Sequence, residues 1–259
     1  MSLRLLTPLL IGLALTVPAA GQSPALRDSG AAEPGSAGRW PAQAVPNAGQ
    51  KAGQSPALLA EMLSRAAPAA DRKVLQLATT ALQCALRQPN STVDPTRLAV
   101  IDYSRPSIEQ RLWVFDVTQQ KLLYQEWVAH GRNSGSNRTE HFSNRDGSFM
   151  SSLGGFTARE TYMGGNGYSL RLDGLEPGFN DNARDRAIVM HGAPYVNPSV
   201  AQLQGRLGRS LGCPAVRLKV AKPLINSLRG GAFVFAYYPD KEWLEHSRLL
   251  APDCGGRAG

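Results

Sequence analysis

The hydrophobic pattern of this chain changes from a helical to a strand-like period near residue 95. Before that point the apolar residues recur at helical spacing. Leu58 to Leu63 predicts a short helix, and a second helix begins at the N-cap Asp71 and ends at Pro89. After it, short β-branched and aromatic runs alternate with turn residues. The sequence therefore predicts a mainly β domain at residues 95–250, with N-terminal helices at 55–90 packed on it.

Six runs after residue 95 have the composition and alternation of strands. They are Leu98 to Tyr103, Arg111 to Val117, Lys121 to Ala129, Ser169 to Leu172, Ala187 to Met190 and Ala232 to Tyr237. Polar segments at His130 to Ser148 and Gly174 to Arg186 are interpreted as loops. Helices are predicted at Val220 to Leu228 and Glu242 to Leu250, so the expected class is mainly β with appended helices.

The first 54 residues differ from the rest of the chain. Arg4 precedes an apolar run from Leu5 to Val17, and small residues follow, as in a cleaved secretory signal peptide at residues 1–21. The run is shorter than the roughly 20 residues that span a bilayer, so we expect no transmembrane segment. Residues 22–54 are rich in Ala, Gly, Pro and Ser and predict a disordered linker. We therefore expect a periplasmic or secreted protein.

The net charge of +8 is spread along the chain and is not gathered in blocks. Scattered basic residues do not predict a nucleic-acid surface, and they suit an anionic polymer or a cell-envelope surface. No His or Cys residues have the close spacing of a zinc site, and no G-x-S-x-G motif occurs. We predict no metal, no cofactor and no nucleic-acid partner, and we expect a monomer.

Cys213 lies in an unusual place for a thiol. Structural cysteines usually sit in apolar periodic segments, whereas Cys213 stands between Gly212 and Pro214 in a basic, glycine-rich turn. Such a setting favours the thiolate, which is the nucleophilic form. Pairing Cys84 with Cys254 would leave Cys213 free, but connectivity cannot be read from sequence and stays open.

Two of the four histidines, His130 and His191, end a predicted strand and are followed by glycine. The other two, His141 and His246, are interpreted as surface or packing residues. His191 is favoured as the base for Cys213 because a Ser-x-Gly-Cys turn follows it. His130 is the alternative.

The order His191-Gly192, then Ser210-Leu211-Gly212-Cys213, resembles the catalytic motif of YkuD-type L,D-transpeptidases. The chain is most similar to the branch called the murein L,D-transpeptidase catalytic domain family, over about residues 95–240. Further stretches that carry the resemblance are Ser151 to Phe156, Tyr168 to Glu176, His191 to Val196 and Gly208 to Val216. The resemblance implies a YkuD-like β-sandwich catalytic domain, with the cysteine in a groove, that acts on peptidoglycan stem peptides.

Two residues depart from the wider motif. Leu211 stands where the motif has histidine, so the base role rests on His191. Pro214 has no N–H. An oxyanion hole would therefore use the N–H groups of Gly212 and Cys213, or a tyrosine hydroxyl.

The resemblance and the residue types together predict a site with three kinds of residue. The catalytic pair is Cys213 and His191, the supporting residues are Gly212, Ser210 and Gly192, and the candidates for substrate binding are Arg209, Tyr162 and Tyr168. A plain turn-stabilising role for Ser210 and a solvated surface charge for Arg209 stay open.

The resemblance implies an L,D-transpeptidase that forms a Cys213 thioester with a stem tetrapeptide and passes it to an amine. An L,D-carboxypeptidase or an endopeptidase would use the same residues with water as the acceptor. The alternative from another class is a non-catalytic cell-wall-binding protein, against which the intact Cys213 and His191 argue.

Overall fold

The structure, a computed structural model, describes residues 55–254. The predicted signal peptide at 1–21 and the predicted linker at 22–54 lie outside the described residues. Within residues 55–254 no helix combines the length and the apolar character needed to cross a membrane.

The described residues form two helices first and then mostly strands. The elements are α1 Pro56–Ala66, α2 Arg72–Arg87, β1 Asp94–Asp102, β2 Leu112–Asp116, β3 Lys121–Glu126, β4 Val128–Ala129, β5 Gly154–Gly164, β6 Gly167–Gly174, β7 Val189–Ala193, α3 Pro198–Gln204, β8 Ala215–Arg217, α4 Leu218–Leu228, β9 Ala232–Tyr237 and α5 Lys241–His246.

The nine strands of the described chain belong to one sheet, in the order β3-β2-β1-β9-β5-β6-β7-β8-β4. Neighbours run antiparallel except for two parallel pairs, β1 with β9 and β7 with β8. The predicted class, mainly β with appended helices, is confirmed.

Strands β3 and β4 are the two edges of this sheet, although only Trp127 separates them in the chain. Two residue steps span at most about 7 Å, so the two edges must meet and the sheet must curve round. Arg111 fastens this join, because Nε and Nη2 both donate to the carbonyl of Val128, at 3.1 and 3.0 Å. The prediction of a single strand from Lys121 to Ala129 is therefore wrong.

Helix α2 begins where the sequence predicts. The carboxylate of Asp71 accepts hydrogen bonds from the N–H groups of Lys73 at 2.7 Å and Val74 at 3.1 Å, which caps the first turn. Buried residues of α2, among them Leu75 and Leu82, pack with α1 and the sheet in one hydrophobic core. Residues 55–90 thus contain the helices α1 and α2.

Three elements were not predicted from sequence. Strand β5 begins with two glycines and has a bulge between Ala158 and Thr161, which breaks its alternation. Strand β8 and helix α3 are too short to show a period. The last helix is shorter than predicted: it ends at His246 instead of Leu250, and the N–H of Ser247 closes it on the carbonyl of Trp243.

All three cysteines are free thiols in this structure, so the Cys84–Cys254 pairing that the sequence left open is not formed here. The fold nevertheless brings the two residues together. Nε2 of Gln88, at the end of α2, donates to Sγ of Cys84 at 3.7 Å and to the carbonyl of Cys254 at 2.9 Å. Nη2 of Arg87 donates to Sγ of Cys254 at 2.9 Å.

Candidate active site

The turn that carries Cys213 is held against a neighbouring loop. The N–H of Ser210 donates to the carbonyl of His130 at 2.9 Å, and the N–H of Arg132 donates to the carbonyl of Ser210 at 2.8 Å. The Ser210 hydroxyl donates to the carbonyl of Cys213 at 2.7 Å and accepts from the N–H of Gly212 at 3.1 Å. Ser210 therefore closes the turn, and the N–H of Gly212 is already engaged.

Position 212 requires a glycine, because the atoms around the turn leave no room for a side chain. Its φ of 127° lies where side chains are rarely tolerated, and an added Cβ would meet the Met150 carbonyl oxygen and Cδ1 of Ile188 at 2.9 Å each. Of the two N–H groups predicted for the oxyanion hole, that of Cys213 donates to no other residue among those that the structure describes. It is the donor left for a substrate oxygen.

The thiol of Cys213 lies just before β8, alongside β7. Sγ accepts a hydrogen bond from the N–H of Val189 at 3.5 Å and donates one to the carbonyl of Ala187 at 3.6 Å. Burial raises the pKa of the thiol, while the Val189 N–H and the charge of Arg186 act in the opposite direction. The resting group is therefore a neutral thiol at neutral pH.

Ala187, the acceptor for this thiol, has a strained backbone. Its φ of 52° lies in the left-handed region, which costs a residue with a Cβ about 1 kcal/mol. Hydrogen bonds on both sides hold it there: its N–H donates to the carbonyl of Arg184 at 3.0 Å, and that of Ile188 donates to the carbonyl of Ala183 at 2.9 Å. Such strain persists only where the surrounding structure imposes it.

His191 lies on β7, buried and in register with Ala215 of β8. Its Nδ1 is 3.0 Å from the carbonyl oxygen of Gly192, and because a carbonyl can only accept, Nδ1 carries the proton. Burial lowers the pKa of His191, so the ring is neutral and Nε2 has a free lone pair. No hydrogen bond joins His191 to Cys213 among the described residues. The thiol contacts Val189, the first residue of β7, and β7 is the strand that carries His191.

The same register places the two predicted tyrosines on opposite faces of the sheet. Tyr162 pairs with Ser169, and Ser169 pairs with His191, so Tyr162 lies in the row of the histidine. Successive residues of a strand alternate between faces, and Tyr168 accordingly donates its hydroxyl to Oδ1 of Asn226 on α4 at 2.6 Å. The structure therefore brings Tyr162, but not Tyr168, to the face of the sheet that carries the His191 side chain.

Gly192 contributes through its backbone and its small size. An added Cβ would come within 2.7 Å of Cβ of Ala221, so glycine lets α4 pack closely on β7. Its carbonyl fixes the proton on His191. The predicted supporting role thus corresponds to orienting the imidazole, whereas the side of Gly192 that lacks a Cβ faces the helix.

The side chain of Arg209 is hydrogen-bonded to the segment that follows β4. Its Nη1 donates to the carbonyls of Arg132 at 2.9 Å and Gly135 at 2.8 Å. These bonds tie the turn to the segment that follows β4. The predicted contact with a substrate carboxylate would have to use the remaining N–H groups of the guanidinium.

Three residues near the thiol were missed as site residues by the sequence reasoning. Ser151 donates to the Gly212 carbonyl at 3.2 Å. Burial and the nearby Cys213 charge raise the pKa of Tyr195 to about 12. Arg186 acts on the pKa of the thiol. Ser151 and Tyr195 stand in stretches that carry the family resemblance and could have been named, whereas Arg186 lies in a polar segment without a motif.

The site is thus a buried thiol in a Ser-x-Gly-Cys turn beside a neutral, oriented histidine on a curved β-sheet. Residues 66–237 match the family described as the L,D-transpeptidase catalytic domain. This match covers more than half of the chain, and the chain belongs to that family.

Solved L,D-transpeptidases are similar to part of the chain. One from Mycobacterium smegmatis is 15% identical, with a TM-score of 0.36, over 55% of this chain and 59% of the other. L,D-transpeptidase 1 from Mycobacterium tuberculosis is 12% identical, with a TM-score of 0.32, over 55% and 62%. The chain thus spans about 60% of their length, and values this low say nothing about reaction or substrate. No curated protein sequence matches the chain.

Proposed function

We propose that this protein is a peptidoglycan L,D-transpeptidase that uses Cys213 as its nucleophile and His191 as its base. Membership of the L,D-transpeptidase catalytic domain family supports the reaction class. The observation that supports the residue roles is the hydrogen bond from the N–H of Val189 to Sγ of Cys213. It holds the thiol against β7, the strand on which His191 lies with its Nε2 unprotonated.

The proposed reaction begins from neutral partners. Nε2 of His191 takes the proton from Sγ as the sulfur attacks the carbonyl carbon that precedes the terminal D-residue of a stem tetrapeptide. The N–H of Cys213 donates to the developing oxyanion, because that of Gly212 is held by Ser210. The C–N bond then breaks, His191 returns its proton to the leaving amine, and a thioester remains.

The second half of the reaction repeats these steps in reverse. An acceptor amine attacks the thioester carbonyl, His191 takes its proton, and the thiolate leaves and is reprotonated. The product is a cross-link between two stem peptides. If water takes the place of the amine, the same residues give a carboxypeptidase or an endopeptidase.

Compartment, partner and assembly are part of the proposal. The signal-peptide pattern of residues 1–21 supports export to the periplasm or beyond, where peptidoglycan lies. Stem peptides are the proposed substrates, and the protein acts as a monomer.

The experiment that tests this function is incubation of the protein with a disaccharide tetrapeptide, followed by mass spectrometry. A cross-linked dimer supports transfer, a tripeptide alone supports hydrolysis, and unchanged substrate with intact binding supports a wall-binding protein. Cys213→Ala should abolish every product, and products equal to wild type would overturn the nucleophile assignment.

The assignment of the base is tested by the two strand-end histidines. His191→Ala should abolish the thioester, which is detected as a mass increase on Cys213. His130→Ala, when folded, should still form it, because His130 is hydrogen-bonded elsewhere. Equal loss in the two folded variants would contradict the role of His191.

A further inference from the structure

Arg186 is a half-buried cation without an ion-pair partner. Its guanidinium makes four hydrogen bonds, all to neutral oxygens. Nη1 donates to the carbonyl of Ser143 and to Oγ of Ser152, both at 2.6 Å, and Nη2 donates to the carbonyl of Met150 at 2.8 Å and to Oγ of Ser148 at 3.1 Å. No carboxylate among residues 55–254 lies within salt-bridge distance of it.

A cation in such a position is costly. Burial lowers the pKa of Arg186, and the exposed Asp146 only partly opposes this effect. The neighbouring Arg184, by contrast, is exposed and paired with Glu160 and Asp173. A half-buried charge without a counter-ion interacts more strongly than an exposed one with a negative charge that forms close to it.

The nucleophile turn lies directly against this guanidinium. Nη2 would be 3.6 Å from a Cβ on Gly212, and the Met150 carbonyl that it holds would be 2.9 Å from the same point. Arg186 also immediately precedes Ala187, whose carbonyl accepts the hydrogen bond from the Cys213 thiol. The guanidinium of Arg186 therefore lies next to Gly212 of the turn. The backbone of Arg186 is also bonded to Ala187, the residue that accepts the hydrogen bond from the thiol.

We propose that Arg186 is the cation that stabilises the Cys213 thiolate, in place of the histidine for which this chain has Leu211. Leu211 is more than half exposed and has no polar atom in its side chain, so it can neither carry a charge nor donate a hydrogen bond. The inference deepens the proposed function and rests on it for the use of the thiolate. The predicted effect of the Arg186 charge on the pKa of the Cys213 thiol can be measured without a substrate.

The other ionisable groups around the thiol cannot stabilise the thiolate with a positive charge. Tyr103, at the end of β1, and Tyr195, after β7, carry charge only when deprotonated, and their interaction with Cys213 raises their own pKa. His191 is neutral because burial lowers its pKa. Among the described groups whose charge acts on the pKa of Cys213, Arg186 is thus the cationic one.

The test is the pH dependence of the alkylation of Cys213 by iodoacetamide, followed on the Cys213 peptide by mass spectrometry. In Arg186→Gln the thiol pKa should rise by about one unit, so that alkylation at a fixed pH below the pKa slows about tenfold. The matched control is Arg184→Gln, which removes the same charge two positions away and should leave the profile unchanged. An unshifted profile in folded Arg186→Gln, or equal shifts in both variants, would overturn the proposal.

A second variant, Arg186→Lys, separates charge from hydrogen bonding. Lysine keeps the charge but cannot reach all four acceptors. We expect a lower melting temperature with a thiol pKa close to that of wild type. A rise as large as that expected for Arg186→Gln would assign the effect to the hydrogen-bonded loop and overturn the proposal, and this holds even if Arg186→Gln does not fold.

The alkylation assay also keeps this inference apart from the proposed function. If the wild-type protein gives no product from the tetrapeptide but Arg186→Gln shifts the alkylation profile, the function fails and the inference stands. If the wild type forms cross-links and the profile does not shift, the function stands and the inference fails.

Discussion

Nη2 of Arg111 donates a hydrogen bond to Nδ1 of His130 at 2.7 Å, inside the protein. A guanidinium can only donate, so Nδ1 is unprotonated, and Nε2–H faces the carbonyl of Gly135 at 3.4 Å. Burial and the Arg111 charge lower the pKa of His130 to about 3. The geometry thus distinguishes the two strand-end histidines: His130 is tied to the cation that joins the edges of the sheet, whereas His191 has a free Nε2.

The buried His130 should make the protein less stable in acid. Its pKa is about 3 in the folded state and near 6.5 when unfolded, so the unfolded chain binds the extra proton between these values. The free energy of unfolding should therefore fall by a few kcal/mol as pH drops from about 6.5 towards 3. Urea titrations across this range measure it. His130→Asn keeps an acceptor for Arg111 without titrating, and an unchanged pH slope in this variant would contradict the assignment.

Gly212→Ala should abolish thioester formation and lower stability by about 2 kcal/mol or more, because the methyl group has no space and the φ of 127° is strained. The matched control is Gly147→Ala. Gly147 also has a positive φ of 65°, but an added Cβ meets nothing within 4 Å, so only about 1 kcal/mol of backbone strain is expected. Thermal melts measure the loss of stability, and the mass of the protein shows whether the thioester forms. Equal effects at the two glycines would show that crowding at the turn is not the cause.

Replacing Glu176 should lower the free energy of unfolding far more than replacing an exposed glutamate. Its buried carboxylate accepts from the N–H of Gly155 at 2.8 Å, from Nε1 of Trp243 at 3.2 Å and from the hydroxyl of Ser247. Glu176→Gln turns one acceptor into a donor, which should cost about 1–3 kcal/mol of unfolding free energy in urea. The exposed Glu160→Gln should cost less than about 1 kcal/mol. A cost for Glu176→Gln no larger than that would refute the network.

Cys84 and Cys254 should form a disulfide under oxidising conditions. The two thiols interact directly, and burial and this contact raise the pKa of Cys84 to about 12. Oxidised glutathione would take the two thiol hydrogens and become two molecules of reduced glutathione. Alkylation without reductant should then block one thiol, whereas three blocked thiols would contradict the prediction. The disulfide should raise the free energy of unfolding by about 2–5 kcal/mol because it closes a long loop, and Cys254→Ser should not show this increase.

The elements that the sequence predicted well are those whose signal is local. The N-cap at Asp71 and the apolar period of α2 need no partner to be recognised. The break at Trp127 could not be predicted, because β3 and β4 form one uninterrupted strand-like run in the sequence and differ only in the distant strands that they join. The same holds for Arg186, whose sequence neighbours give no hint that it reaches Gly212.

The sequence by itself determined the mainly β class, the family resemblance and the pairing of His191 with Cys213 as candidates, because hydrophobic period and motif order are properties of the chain. Only the tertiary structure decided which polar groups remain free. It engaged the N–H of Gly212 with Ser210, turned the hydroxyl of Tyr168 towards α4, and set Arg186 against the thiol turn. Hydrogen bonds and charge effects act through space between residues distant in the chain, and no local pattern records them.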